Sequence, residues 1–349
     1  EYQDMSPLQD ALVRQWIDQA DRVYVAGDPD QSIYGFRGCR PDLFLSLPAE
    51  DRGAHNGNRP ISRRCAMRIM AEAERILGRP ANVAPAPRPG ISARIVTRDI
   101  FDLVRHIEDA VRTYADTVTP IYILSRFRRH AGKIARDLAA AGIPTTGIRS
   151  VAGGPWGPAR IGRHKDTLER DTVNIWHLTR AVRRYQEGTE IDRIPLDEAE
   201  ALIAATVPQP RRKQITDGLA ATVKRGDPIR IGALTPWIPA PSDRIQEALN
   251  IRPYLTDQIQ RCITRERQRG SVIAPDAVRV DTIHASKGLE APAVFLHTGY
   301  LRGLIDGLSV PDRMAEERRV FFVGATRASR ALILFDYIAP VWPVFGRPV

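Results

Sequence analysis

The spacing of apolar positions changes several times along this 349-residue chain, and each change marks an element. Residues 8–20 (LQDALVRQWIDQA) carry apolar side chains at helical spacing, and 22–26 (RVYVA) is a β-rich run ending at Gly27-Asp28, so a helix and then a short strand are predicted. Residues 66–77 (AMRIMAEAERIL) predict an amphipathic helix, and the Pro- and Ala-rich 79–92 reads as a linker. The pattern then alternates: strand 93–97, helix 100–114, strand 121–124, and helix 128–141 closed by Gly142 and Pro144. This βαβα succession predicts a mostly parallel sheet. Residues 152–168 are rich in Gly, Pro and Arg and are expected to be irregular, whereas 169–268 read as polar and helical. Strand signals return at 278–282, 293–297 and 331–336. The simplest account is an α/β protein whose parallel sheet is interrupted by an inserted helical domain. No internal repeat or low-complexity tract is visible.

Composition narrows the class. The length predicts two or three domains. Lys plus Arg outnumber Asp plus Glu, 51 to 41, and a net charge of +10 favours a polyanionic partner, nucleic acid being the commonest. A basic protein with no nucleic acid bound is the blander alternative and stays open on charge alone. Cys39, Cys65 and Cys262 are far apart and form no CxxC pair, which points to a reducing, cytoplasmic setting without disulfides or a zinc site. No apolar run reaches the ~18 residues of a membrane span. The acidic, polar start is no signal peptide, and residue 1 is not Met, so Glu1 is read as a cut end.

Three segments carry the candidate chemistry. The first, Gly27-Asp28-Pro29-Asp30-Gln31-Ser32-Ile33-Tyr34-Gly35-Phe36-Arg37-Gly38, follows the 22–26 run directly. A Gln at a strand end can bond a phosphate oxygen and an attacking water. Tyr34 and Phe36 beside Arg37 suit base stacking on a single strand. Alone, the loop is better read as a tight turn with two core aromatics. The second, Thr282-Ile283-His284-Ala285-Ser286-Lys287-Gly288-Leu289-Glu290, groups side chains that contact phosphates around a Gly that lets backbone approach. In the third, Glu316-Glu317-Arg318-Arg319 precedes an apolar run and then Arg327. The charged run alone suits a solvated helix face. Arg327 is costly to bury unpaired and should meet an anion, either a transferring phosphate or a structural carboxylate.

Together with the start, Glu1-Tyr2-Gln3-Asp4, these segments resemble in order the motifs of superfamily one helicases of the UvrD/Rep/PcrA group. GDPDQSIYGFRG is similar to the third motif, TIHASKGLE with AVFL to the fifth, and EERRVFFVGATRA to the sixth. Ser62-Arg63-Arg64-Cys65, at the head of a helix, resembles a further element. The matches span residues 1 to 328. The resemblance implies RecA-like parallel sheets: a partial first domain (1–60), a second domain in two parts (61–155 and 276–349), and an inserted, mostly helical subdomain (156–275). It implies that Glu1 activates the hydrolytic water and that Asp4 supports it. Gln31 senses the γ-phosphate, Arg64 and Arg327 reach that phosphate, and Glu290 lies near the ribose. Tyr34 and Phe36 stack on bases, Phe36 standing where the family often has Trp. Thr282 and His284 contact the strand, and Arg37 serves either ligand.

The implied cofactors are ATP and Mg2+, and the partners single-stranded and duplex DNA, with 3′ to 5′ movement and a role in repair, replication or recombination. The sequence departs from the family pattern in having no GxxxxGK[ST] loop and no Asp before Glu1. Magnesium's main ligands are therefore expected upstream. The chain alone is expected to hydrolyse ATP poorly, with apolar surface exposed in 1–60. The alternative is a DNA-binding or regulatory protein with an incomplete ATPase. A helicase–nuclease fusion would need an acidic cluster after Arg327, and residues 328–349 contain none.

Overall fold

A computed structural model describes residues 1–47, 61–97, 99–115, 119–147, 155–164, 168, 171–187, 193–209, 211–223, 227–239, 242, 244–270, 272–338 and 340–345. The chain divides into two compact units. The first comprises 1–99, 112–131 and 281–349; the second comprises 100–111 and 132–280.

The first unit is built on four parallel strands in the spatial order Ile91–Val96, Ala328–Asp336, Ala291–His297, Ile121–Ser125. Parallel strands covered on both faces read as continuous apolar runs. Accordingly, every residue of APAVFLH and IYILS is buried. Helix Met67–Leu77 turns Ile69, Met70, Ala73, Ile76 and Leu77 inward, the i, i+3, i+4, i+7 stripe its sequence predicted, and ends at Gly78 with φ 84°. Helix Pro311–Ala325 adds Val320, Phe321, Phe322 and Val323 to the same core, where Phe321 stacks on Trp342 at 4.5 Å.

The second unit is mainly helical. Its helices Ile175–Glu187, Leu196–Thr206 and Pro253–Arg269 bury Leu178, Val182, Tyr185, Leu202, Ile259 and Ile263 in one core. Glu266, buried in that unit, is neutralised by Arg180 at 3.1 Å and Arg183 at 2.6 Å. Strands Val278–Thr282 and Thr146–Gly147 pair in parallel through Arg279 and Val280.

Three expectations need correction. The 22–26 run forms no strand: among the described residues its main chain pairs only through Ala26, whose carbonyl accepts from the nitrogens of Glu1 and Tyr2 at 2.9 and 3.1 Å. β-propensity cannot make a strand without a neighbour to bond. Tyr24 is 91% exposed, and Leu8, Leu12, Trp16 and Leu45 are also exposed, so the expected apolar surface in this segment is present. The 79–92 stretch is not a plain linker, because Ala84–Ala86 pairs in parallel with Ile61–Ala66. Ser62 to Cys65 lie in that strand, immediately before the helix. Of the stretch expected to be irregular at 152–168, the described part includes Pro158–Arg160, which pairs antiparallel with Thr172–Asn174; the remainder lies outside the described residues.

Candidate nucleotide and nucleic-acid site

Every candidate site residue named from the sequence lies in the first unit. The loop 27–38 is folded by its own side chains. Asp28 caps a single 3-10 turn, Pro29–Gln31, by accepting from the Asp30 nitrogen at 3.0 Å. Its other carboxylate oxygen accepts from Gln31 Nε2 at 2.6 Å. Burial lifts the Asp28 carboxyl above its ordinary range, against the pull of the Gln31 bond. Asp30, fully buried, is ion-paired with Arg79. A second 3-10 turn, Gly35–Arg37, ends at Gly38 with φ 78°. At Gly35 a Cβ would fall 2.6 Å from a carboxylate oxygen of Glu316, so a larger residue there would require the Glu316 side chain to move.

With its amide nitrogen held by Asp28, Gln31 directs Oε1 at Arg327, whose Nη2 donates at 2.8 Å. Arg327 is 1% exposed. It donates further to the carbonyls of Val323 at 3.0 Å and Leu289 at 3.1 Å. No carboxylate among the described residues forms an ion pair with it, which disposes of the structural-carboxylate alternative raised by the sequence. Burial, with the Arg64 guanidinium adding repulsion, pushes the Arg327 pKa down to about 10. Arg64 donates to Glu290 at 2.6 Å and to the Thr326 carbonyl at 3.4 Å, so two residues assigned to the nucleotide are paired with each other.

Glu1 is largely exposed and accepts from Gln3 Nε2 at 2.5 Å. Partial burial would raise its carboxyl, but the Gln3 bond and the Lys287 ammonium, 3.5 Å away, outweigh it and hold it below the usual range. Asp4 is ion-paired with Lys287, and its second oxygen is buried without a hydrogen bond among the described residues.

The other side of the loop is aromatic. The rings of Tyr34, Phe36 and His284 form a cluster, with centroids 6.1, 6.0 and 5.7 Å apart pairwise. Phe36 is 68% exposed and so is no core aromatic. The Arg37 guanidinium lies 5.2 Å from the Tyr34 centroid and 5.6 Å from that of Phe36, on this side of the loop. Thr282 ends its strand, and its hydroxyl oxygen accepts from the Ala285 nitrogen at 3.2 Å, opening the turn that carries His284. His284 Nε2 lies 3.2 Å from the Ile33 carbonyl. Since a carbonyl only accepts, Nε2 carries the proton and Nδ1 is left as an acceptor. The sequence reading passed over Lys287 as a site residue, and also the pair between Arg126 and Glu317, joined through two bonds of 2.8 and 2.7 Å. Lys287 was legible as a cation inside TIHASKGLE; nothing in the sequence joins Arg126 to Glu317.

Burial, with Arg126 nearby, pushes the His284 pKa down to about 4, against an ordinary 6.5. The folded state therefore prefers neutral His284. Its contribution is complete above pH 6.5 and is lost as pH falls from 6.5 towards 4, at a cost on the order of 3 kcal/mol. Buried His297, also pushed down to about 4, acts in the same window. Ring NMR should find His284 neutral at pH 5.5; a midpoint near 6.5 would contradict this environment.

The site's elements coincide with known sequence families. Residues 211–337 match the UvrD-like helicase C-terminal domain, and residues 1–50 match the UvrD/REP helicase N-terminal domain. The ATP-dependent DNA helicase UvrD2 of Mycobacterium tuberculosis is 26% identical over 360 residues, covering 96% of this chain and 46% of the relative. DNA helicase II of Salmonella typhimurium is 22% identical over 400 residues, covering 96% of this chain and 54% of the relative. The ATP-dependent DNA helicase PcrA of Bacillus subtilis is 37% identical over 106 residues, covering 27% of this chain and 13% of the relative. The chain thus spans about half the length of the relatives it matches end to end. With both family domains present, in the chain order the motifs predicted, the chain belongs to the UvrD/Rep family of helicases.

Proposed function

We propose that the protein is an ATP-driven DNA helicase or translocase that moves 3′ to 5′ on single-stranded DNA and separates duplexes, in repair or replication. The observation that carries this reading is the loop 27–38. One face of it bonds, through Gln31, a buried arginine that forms no ion pair among the described residues, and the other carries an aromatic cluster from which Phe36 is exposed.

A guanidinium buried among carbonyls without a counter-ion suits an anionic ligand, and a transferring phosphoryl group, with charge spread over its oxygens, fits best. In this reading Arg327 and Arg64 neutralise the γ-phosphate, and Arg64 leaves Glu290 to do so. Glu290 then turns to the ribose. Gln31 reports the phosphate to the loop, Glu1 accepts the proton of the attacking water, and Asp4 supports it. Tyr34, Phe36 and Arg37 stack on bases, and Thr282 and His284 contact the strand. Among the described residues no cluster of three His, Cys, Asp or Glu side chains is placed to hold a metal. Magnesium in this reading arrives with the triphosphate. The domain division 1–60, 61–155 with 276–349, and 156–275 belongs to the same proposal. So does a cytoplasmic setting, for which three free thiols speak. No helix among the described residues is long and apolar enough to cross a membrane.

The protein as its gene encodes it should turn over ATP at least about tenfold faster when single-stranded DNA is present, and should displace a labelled strand from duplexes with a 3′ tail. Residues 1–349 by themselves, having no GxxxxGK[ST] loop, should bind single strands while turning over ATP slowly. DNA binding with no stimulated turnover in the encoded protein would replace this reading with that of a DNA-binding regulator.

A further inference from the structure

We propose that Lys287 is the positioning residue that couples the two faces of the site, tying the acids Glu1 and Asp4 and the main chain of Gln31 to the stacking ring of Tyr34. The inference rests on the function proposed above and names how ATP turnover is made to respond to DNA.

Four contacts converge on one ammonium group. Lys287 Nζ is ion-paired with Asp4, donates to the Gln31 carbonyl at 2.8 Å, and stands 3.5 Å from the Glu1 carboxylate. It also lies 5.0 Å from the centroid of Tyr34. Its side chain is only 8% exposed, so water does not screen these contacts as it would on a surface. An ammonium has three hydrogens to donate, and three oxygen acceptors surround it. The residue bonded at its main chain, Gln31, is also the one whose side chain bonds Arg327. A cation over the Tyr34 ring responds to what lies on that ring, because a base stacked there alters the electrostatics of the cation–π contact. Any movement of Nζ is felt at Asp4, Glu1 and Gln31, since all three share it. Neutralising two carboxylates would need only a cation nearby; the main-chain bond and the ring contact are not explained by that.

The test uses the protein as its gene encodes it. Lys287→Met should lower the maximal stimulation of ATP turnover by single-stranded DNA at least about tenfold, while the DNA concentration for half-stimulation moves by less than about threefold. The acid limb of the pH–rate profile should move upward, because Glu1 would lose the cation that faces it and keep Asp28 as a neighbouring acid and Arg327 as a more distant charge. Lys287→Arg should return the acid limb towards its original position. Tyr34→Leu should lose the same stimulation, and the double variant should lose no more than either alone. Lys287→Gln gives the same reading should the Met variant not fold. Stimulated turnover retained in both the Met and Gln variants, or additive losses in the double variant, would overturn the coupling role and leave the helicase reading intact. An unsubstituted protein without DNA-stimulated turnover would overturn both.

Discussion

Replacing Arg327 with Met is expected to cut DNA-stimulated ATP turnover by about 10³-fold or more while changing folding stability by less than about 2 kcal/mol. The two effects separate because of where the guanidinium sits. It is buried, its pKa is pushed down, and no described carboxylate forms an ion pair with it, the more distant charges of Glu1 and Glu290 offsetting only part of the cost of desolvation. Removing the charge recovers that cost, which offsets the donors lost by Leu289 and Gln31. Met is of similar reach and apolar, so the core around Phe322 and Val323 stays filled. Turnover has no such compensation, since an arginine that stabilises a transferring phosphoryl group is worth about 10³ to 10⁵ in rate. The substitution Arg327→Lys should rescue little, because a point charge cannot reach Val323, Leu289 and Gln31 together as the planar fork does. Steady-state kinetics beside a thermal melt decides the matter. Unchanged turnover would remove Arg327 from the chemistry, and a collapse of the melting temperature with proportionate loss of rate would make it a structural residue.

Phe36→Ala is expected to weaken single-stranded DNA binding about 5- to 150-fold, the equivalent of roughly 1–3 kcal/mol for one stacked base. Stability should stay within about 0.5 kcal/mol, because an exposed ring contributes little to the core. The loss should be similar on thymine and adenine tracts, since stacking uses the face that every base has. Phe36→Trp should bind at least as tightly as Phe36, a larger ring adding overlap. Fluorescence anisotropy with short labelled strands measures each case. Affinity within twofold of the original for the Ala variant would mean that Phe36 is not a base platform. A loss seen on one base only would mean that the ring reads sequence, contrary to the stacking role.

The elements that the sequence determined by itself are those written in local periodicity and in glycine. Helix Met67–Leu77 was legible because its buried side chains recur at 3.6-residue spacing, and helix Arg128–Ala140 because Gly142 and Pro144 follow it. IYIL and AVFLH were legible as buried strands because parallel strands carry apolar residues on both faces. The candidate site residues were legible because their motifs are contiguous runs: Gln31, Tyr34, Phe36 and Arg37 in one loop, and Thr282, His284 and Glu290 in another.

Tertiary structure decided everything that depends on a partner distant in sequence. RVYVA has the composition of a strand and forms none, because no described neighbour accepts its ladder of bonds. Ala84–Ala86 has the composition of a linker and is a strand, because Ile61–Ala66 lies beside it. Composition could not say whether Phe36 is core or surface; exposure could. Nor could it say whether Arg327 meets a carboxylate or Gln31, since that bond spans 296 residues of chain. Lys287 stood in a recognisable motif, but its contacts with Asp4, Gln31 and Tyr34 exist only once the fold brings residue 287 against residues 1–34. Side-chain type and spacing fix which chemistry a chain can hold. Which groups are desolvated together, and therefore act on one another, is set by packing between segments far apart in sequence.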